Sequence, residues 1–271
     1  MPLFVHDGIG FHYEDKGSGL PFFFQHGLGA DASQPFGLLT QPDDIRLLAF
    51  DCRAHGRTQP AGPAAKIGIS AFADDLCALM DFLKLERCIV GGISMGAAVA
   101  LNFTLRYPSR VTGLILSRPA WLDRPNPWNV RMFSLVARLL REHGLARGRE
   151  LFKQTPEFAE TARQFPDVAR SLCGQFENPR AAENVVNLER IPLDSPCHDR
   201  REWASIKTPT LVLANRQDPV HPFEYGEICA RLIPGAEFHE IACKSVSVEK
   251  HATDVQRFIE AFLKRRFLSQ H

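Results

Sequence analysis

The fold is decided by residues 88–98, Cys88-Ile89-Val90-Gly91-Gly92-Ile93-Ser94-Met95-Gly96-Ala97-Ala98. An apolar run ends there in a Gly-x-Ser-x-Gly sequence, and small and apolar residues continue beyond it at helical spacing. This pattern predicts a buried strand, a sharp turn at Ser94 and a helix over 94–107. Glycine is required at Gly92 and Gly96 because a Cβ atom would clash where the strand and the helix close on each other.

The predicted turn gives Ser94 the surroundings that a serine nucleophile needs. A serine hydroxyl is a poor nucleophile, so its chemistry requires exposure, a nearby base and hydrogen-bond donors for the charge of an oxyanion. A strand-to-helix turn lifts Ser94 out of the sheet and aims the backbone N–H of Met95 at that charge. The alternative is an inert serine in a glycine-rich turn, against which the flanking strand and helix argue.

Composition excludes several classes of function. The 32 basic and 31 acidic residues leave a formal charge of +1, and no basic block suggests nucleic-acid binding. No apolar run approaches the roughly 18 residues that would span a membrane, and residues 1–8 lack the pattern of a secretory signal. The seven cysteines form no Cys-x-x-Cys pair and are expected to be buried thiols of a reducing compartment. We therefore expect a cytoplasmic protein with a small-molecule substrate and no nucleic-acid or membrane partner, and the sequence leaves a homodimer open.

Short apolar runs bounded by turn residues recur along the chain and predict buried strands. They lie at 11–14, 21–25, 46–50, 111–116, 210–214 and 236–241. Helical spacing of apolar residues separates them, first in a helix that contains Phe72 to Leu83 and that Ser70 would cap. Such alternation predicts an α/β fold with a mostly parallel central sheet and helices on both faces.

The pattern changes between 121 and 203. Strand-like runs are absent there, and apolar residues follow helical spacing, as at Val136, Leu139 and Leu140. We therefore predict a core formed by 1–120 and 204–271, interrupted by a helical cap over 121–203.

Four motifs make the chain resemble the α/β-hydrolase superfamily, and the resemblance covers essentially the whole sequence. They are His26-Gly27-Leu28-Gly29, Asp51-Cys52-Arg53-Ala54-His55-Gly56-Arg57-Thr58, the turn at Ser94, and Ala214-Asn215-Arg216-Gln217-Asp218-Pro219-Val220-His221-Pro222. The resemblance implies that Ser94 is the nucleophile and that the N–H groups of Leu28 and Met95 form the oxyanion hole. It assigns Asp218 as the carboxylate of a catalytic triad.

Two of these motifs contain basic residues for which we expect roles outside the catalytic triad. The loop from Asp51 resembles the family's Asp-x-Arg-Gly-His-Gly-x-Ser loop, with Ala54 in place of glycine. Arg53 and His55 are interpreted as scaffold beneath the site, with direct substrate contact as the alternative. His221 follows Asp218 too closely in the sequence to be its partner, so we interpret it as loop surface.

The catalytic histidine is where the sequence departs from the family. The order Ser, acid, His puts it beyond the last strand, generally in a Gly-His segment, but the corresponding residues 241–248 contain neither. His251 is the preferred candidate. A capping box of Thr253 and Gln256 would leave it in the loop before the last helix, whereas a cap at Ser247 would put it in the first turn, where it could still face the site.

Other assignments of the base stay open. His239 lies inside a predicted strand and would have to reach over the edge of the sheet. His271 is the last residue, where chains generally fray. If none of these residues serves, the triad is incomplete.

These parts predict a serine hydrolase that cleaves a small to medium carboxylic ester or lactone through an acyl-enzyme, without metal or organic cofactor. A serine at the elbow argues against haloalkane dehalogenases and epoxide hydrolases, which carry an aspartate there. The resemblance also admits carbon–carbon cleavage of dienone acids, for which Arg118, Arg124 and Arg131 are candidate partners of the acid. A non-catalytic protein of this fold that binds a small ligand is the alternative from another class.

Substrate choice is expected to depend on the cap, acting as a lid. The candidate substrate contacts are His26, Trp121, Trp128, Met132 and Phe133. The alternative is that these side chains pack the interior, as large apolar residues generally do.

Overall fold

One mostly parallel sheet organises the computed structural model, which describes residues 3–40 and 43–268. Within those residues the strands are β1 (Leu3–His6), β2 (Ile9–Lys16), β3 (Leu20–Gln25), β4 (Ile45–Phe50), β5 (Cys88–Ile93), β6 (Val111–Ser117), β7 (Thr210–Ala214) and β8 (Glu237–Glu240). They lie in the order β1-β2-β4-β3-β5-β6-β7-β8. The pairs β1–β2 and β2–β4 are antiparallel, and the other neighbours are parallel. The predicted mostly parallel sheet is confirmed.

Helices cover both faces of this sheet, and four more lie in the described residues between β6 and β7. They are α1 (Ser33–Leu38), α2 (Ile69–Phe82), α3 (Met95–Arg106), α4 (Arg131–Lys153), α5 (Pro156–Gln164), α6 (Pro166–Gly174), α7 (Ala181–Arg190), α8 (Phe223–Leu232) and α9 (Val248–Leu263), which Lys264–Leu268 extends as a π-helical turn. Short 3₁₀ turns lie at Ala64–Lys66, Pro108–Arg110, Trp128–Val130, Ile191–Leu193 and Arg200–Ser205. None of the described helices is long and apolar enough to cross a membrane.

The alternation of side chains along the central strands divides the interior into two clusters. In β5, Val90 packs into the cluster that contains α2 and α3, whereas Ile89 packs into the one that contains α9. In β7, Val212 faces the first cluster and Leu213 the second. Because both faces are covered, these strands are apolar throughout, and the sequence could identify them.

The start of α2 differs from the prediction. Ser70 was expected to cap it, but the helix begins at Ile69, whose N–H donates to the Asp194 carboxylate at 2.7 Å. That acceptor comes from a segment 125 residues away in sequence. The cap is therefore a tertiary contact, which local sequence signals do not reveal.

The start of α9 also differs, and it fixes the position of His251. The Ser247 hydroxyl accepts the Lys250 N–H at 3.1 Å and caps the helix. The capping box predicted at Thr253 is therefore wrong, because a turn that follows β8 sets the helix start earlier, with the Ser247 N–H donating to the Cys243 carbonyl. His251 lies in the first turn of α9, as the alternative assignment expected.

The described chain between β6 and β7 is helical, and within it α4 packs mainly on α7. Gly144 interrupts α4 with a φ of 72°, a conformation that glycine tolerates. The exact division into core and cap at 121 and 203 stays a prediction.

Candidate active site

Ser94 occupies a strained turn between β5 and α3. Its φ of 57° and ψ of −110° lie outside the regions that ordinary residues adopt, a departure that costs about 1–3 kcal/mol. A Cβ atom at Gly92 would lie 2.4 Å from the carbonyl carbon of Gly96, and one at Gly96 would lie 2.3 Å from the Gln25 carbonyl oxygen. Both glycines of the motif are therefore required by backbone that passes within contact distance.

This close approach predicts a large effect of Gly96→Ala. The added methyl group meets rigid backbone of β3, so the elbow must shift, and overpacking of this kind costs about 1–3 kcal/mol or more. We expect a lower midpoint of thermal unfolding and a lower yield of soluble protein. Gly37→Ala is the matched control because a Cβ atom there contacts nothing within 4 Å. An unchanged midpoint in Gly96→Ala would contradict this account of the elbow.

A cavity of about 340 Å³ opens over Ser94. Its walls come from the elbow, the turn after β3, the loops after β6, β7 and β8, and helices of the segment between β6 and β7. The lining residues are Gly27, Leu28, Gln34, Ile93, Ser94, Arg118, Phe133, Asp167, Val168, Arg170, Ser171, Leu172, Asp218, Val220, His221, Lys244 and Val248. The structure thus brings the predicted nucleophile, the predicted triad acid and the predicted oxyanion residue Leu28 to one cavity.

The two predicted oxyanion donors are free. Met95 is the first residue of α3, whose N–H has no intrahelical partner, and Leu28 lies in the turn after β3. Neither backbone N–H donates a hydrogen bond to any residue in the described part of the chain. Both donors are therefore available to a ligand atom.

Asp218 and His221 form a buried pair at this cavity. The His221 Nδ1 atom lies 2.8 Å from Oδ2 of Asp218, while the N–H groups of Val220 and His221 donate to Oδ1 at 3.0 and 3.1 Å. The His221 side chain is only 11% exposed. The interpretation of His221 as loop surface is therefore wrong: the turn at Asp218 folds the ring back onto the same carboxylate.

Electrostatics fix the protonation of this pair. Burial opposes ionisation of Asp218, but the charge and hydrogen bond of His221, together with Arg118, hold the pKa of the carboxyl well below its ordinary value. A carboxylate only accepts hydrogen bonds, so Nδ1 of His221 carries the proton. Burial lowers the pKa of His221. The imidazole is therefore neutral at pH 7, and Nε2 is its unprotonated nitrogen.

His251 lies close to the cavity but is bound to a different group. Its Nδ1 donates to the Ala242 carbonyl at 2.8 Å, and its residue surface is 1% exposed. Burial, assisted by the positive charges of Arg118 and Lys244, lowers the pKa of His251 to about 3. It does not line the cavity and makes no hydrogen bond with Asp218. The assignment of His251 as the base stays a prediction.

The other two candidates for the catalytic base are His239 and His271. His239 stacks on Phe258 of α9, with ring centroids 4.2 Å apart, and does not line the cavity. His271 lies outside the described residues.

Among the candidate substrate contacts, only Phe133 lines the cavity. His26 is part of the scaffold: its Nδ1 lies 2.8 Å from the Gly27 carbonyl oxygen, and its Nε2 accepts the Cys52 N–H at 3.1 Å. Trp121 is buried away from the cavity, whereas Trp128 is 57% exposed. Met132 packs against the core.

In the loop after β4, Arg53 and His55 make buried hydrogen bonds and do not line the cavity. Arg53 donates two hydrogen bonds to the buried Asp75 carboxylate at 2.7 and 2.6 Å. His55 is buried, with Nδ1 2.9 Å from the Arg53 carbonyl oxygen. Ala54, which replaces the usual glycine, has a φ of 58°.

Sequence reasoning missed several residues that line the cavity. Among them, Lys244 comes from the loop after β8, and Asp167, Arg170 and Leu172 come from α6. The absence of the Gly-His segment marks the loop after β8 as unusual, but nothing in residues 241–248 predicts a role for Lys244. The α6 residues carry no motif that could have identified them.

Comparison with known proteins decides the family. A model of the α/β-hydrolase fold family matches residues 21–251. The chain belongs to the α/β-hydrolase family. It is 30% identical to the "Putative carbamate hydrolase RutD" of Pseudomonas syringae pv. syringae (strain B728a), over 73% of this chain and 74% of that protein.

Two other relatives carry different activities in their names. The 2-hydroxy-6-oxo-6-phenylhexa-2,4-dienoate hydrolase of Comamonas testosteroni is 30% identical, over 69% of this α/β hydrolase and 66% of that protein. The structure of a thermophilic esterase from Thermogutta terrifontis matches with a TM-score of 0.72 and 26% identity, covering 96% of this chain and 97% of that one. Relatives of this α/β hydrolase therefore share the fold and a hydrolytic reaction, while the bonds they cleave differ.

Proposed function

We propose that this α/β hydrolase cleaves a small or medium carboxylic ester or lactone by acyl transfer through Ser94. The observation that carries the proposal is the cavity shared by the strained Ser94 elbow and the buried Asp218–His221 pair. A nucleophile, an oriented base and two free N–H donors are the groups that acyl transfer requires. The esterase with 26% identity supports the choice of substrate.

In the proposed mechanism His221 accepts the Ser94 proton at Nε2 as the hydroxyl oxygen attacks the carbonyl carbon. Asp218 holds the ring by its Nδ1 proton and stabilises the imidazolium, and the N–H groups of Leu28 and Met95 bind the oxyanion. The leaving alcohol takes the proton from His221. Water then attacks the acyl-enzyme by the same route and releases the acid and Ser94.

We assign the base to His221 in preference to His251 because of what each Nδ1 atom binds. The Asp218 carboxylate stabilises a positive charge on His221, whereas the neutral carbonyl of Ala242 does so far less for His251. The Nε2 atoms of both histidines make no hydrogen bond within the described residues, but only His221 lines the cavity. We expect Nε2 of His221 to contact the Ser94 hydroxyl when substrate binds, since such contacts are often long in free enzymes.

Carbon–carbon cleavage of a dienone acid is the second candidate. Arg118, one of the three arginines considered from the sequence, lines the cavity, and Lys244 joins it there. Arg124 and Arg131 do not line it. The relative from Comamonas testosteroni is named for such a substrate. Loss of the dienoate absorbance on incubation with the protein would support this candidate.

Covalent labelling tests the proposed nucleophile. An alkyl fluorophosphonate should lose fluoride and form a phosphonate ester on the Ser94 oxygen, which adds mass to tryptic peptide 88–106. We expect the protein to lose its hydrolysis of p-nitrophenyl esters of short to medium acyl chains at the same rate as the label is incorporated. A protein that is neither labelled nor active on these esters would favour the non-catalytic ligand-binding alternative.

A further inference from the structure

Two cationic side chains line the cavity without being fully paired. Arg118 follows β6 directly, and its side chain is 8% exposed. Among the described residues its only ion pair joins Nη1 to Asp218 Oδ2 at a long 3.4 Å. Its buried Nε has no hydrogen-bond partner in the described part of the chain. Lys244 makes no hydrogen bond or ion pair with any residue in 3–40 or 43–268. A buried cation without a partner is costly unless an anion binds there.

The two cations are close enough to repel each other. The positive charge of Arg118 is the largest cause that lowers the pKa of Lys244, to about 8, and burial adds to it. The carboxylates of the cavity relieve this repulsion only in part. Asp218 is engaged by His221 and two backbone N–H groups, and Asp167 accepts the Ser245 hydroxyl.

The net charge of the side chains that line the cavity indicates which ligand charge would neutralise it. Three cationic side chains, of Arg118, Arg170 and Lys244, and two carboxylates, of Asp167 and Asp218, line the cavity. Because His221 is neutral, the side chains that line the cavity carry a net charge of +1. A monoanion neutralises it, and the planar guanidinium of Arg118 suits a carboxylate.

We propose that Arg118 and Lys244 bind a carboxylate carried by the substrate, so that the preferred substrates are half-esters of dicarboxylic acids or lactones that bear a carboxylate. This inference rests on the proposed function of the same site. It also gives a reason for the unusual loop after β8. Because His221 serves as the base, the triad requires no histidine from the loop after β8. Lys244 of this loop can therefore bind substrate.

The test compares two esters that differ only in charge, monoethyl glutarate and its neutral amide, ethyl 5-amino-5-oxopentanoate. We expect kcat/KM to be roughly 10- to 100-fold higher for the acid, the range given by a hydrogen bond to a charged group. Lys244→Met should reduce this ratio by about tenfold, and Lys244→Arg should restore most of it. Lys207→Met, at an exposed lysine remote from the cavity, is the control and should leave the ratio and both rates unchanged.

Binding of free glutarate, measured by calorimetry, separates this inference from the proposed function. Hydrolysis of both esters with a ratio near one, and equal glutarate binding by wild type and Lys244→Met, would overturn the carboxylate site and leave the esterase proposal intact. Glutarate binding that Lys244→Met weakens, without hydrolysis of either ester, would support the site and overturn the esterase. Tighter binding of inorganic phosphate than of glutarate would overturn the choice of carboxylate. Loss of both activities in Lys244→Met and Lys244→Arg alike would make Lys244 the base and overturn its binding role.

Discussion

Replacement of Ser94 by alanine is expected to lower kcat for ester hydrolysis at least about a thousandfold, the scale on which removal of a triad nucleophile acts. The acyl-enzyme route needs the hydroxyl oxygen, and Ser94 shares its cavity with Leu28 and directly precedes Met95. Alanine keeps the backbone of the elbow, and the lost hydroxyl forms no hydrogen bond with any residue in 3–40 or 43–268. We therefore expect the midpoint of thermal unfolding to stay within a few degrees of the wild-type value.

The control for this variant is Ser205→Ala. Ser205 is exposed and lies in the 3₁₀ turn Arg200–Ser205, far in the fold from the elbow. Rates for both variants are measured with p-nitrophenyl butyrate after purification to equal folded content. Activity in Ser94→Ala within tenfold of wild type would rule out Ser94 as the nucleophile, and with it the acyl-enzyme mechanism.

The elbow and the sheet could be predicted because their signals lie in short stretches of sequence. Gly92 and Gly96 are required by contacts within a few residues of Ser94 and with the adjacent strand. The apolar runs of β5 and β7 reflect burial on both faces, which a single strand reveals. Asp218 was identified because it directly follows such a strand. These features depend on short stretches of chain.

The rest of the site depends on side-chain contacts that spacing in the sequence does not reveal. The ring of His221 turns back because the Asp218 carboxylate accepts two backbone N–H groups of the same loop, and spacing alone suggested a surface position. Arg118 and Lys244 are brought together by the order of β6, β7 and β8 in the sheet. The start of α9 at Ser247 was one of two possibilities that the sequence allowed.

A matched pair of asparagine variants separates the two candidate bases. In His221→Asn the amide N–H₂ can replace the Nδ1 donor to Asp218. In His251→Asn it can replace the donor to the Ala242 carbonyl. Both variants lose the Nε2 atom. We expect His221→Asn to lower kcat roughly 10²- to 10⁴-fold, the contribution of a positioned general base. His251→Asn should retain activity within a few fold, since its ring does not line the cavity. The opposite result would restore His251 as the base.

The pH dependence of kcat/KM tests the same assignment without a mutation. The base must be neutral in the free enzyme, so activity is present above its pKa and is lost as the pH falls through it. Burial lowers the pKa of His221 below the ordinary 6.5, whereas that of His251 lies at about 3. With His221 as the base we expect an acid limb with its midpoint below pH 6.5. Because the Asp218 charge raises the pKa of His221, Asp218→Asn should move the midpoint of the remaining activity to lower pH. A limb near pH 3 that Asp218→Asn leaves in place would instead assign the proton transfer to His251.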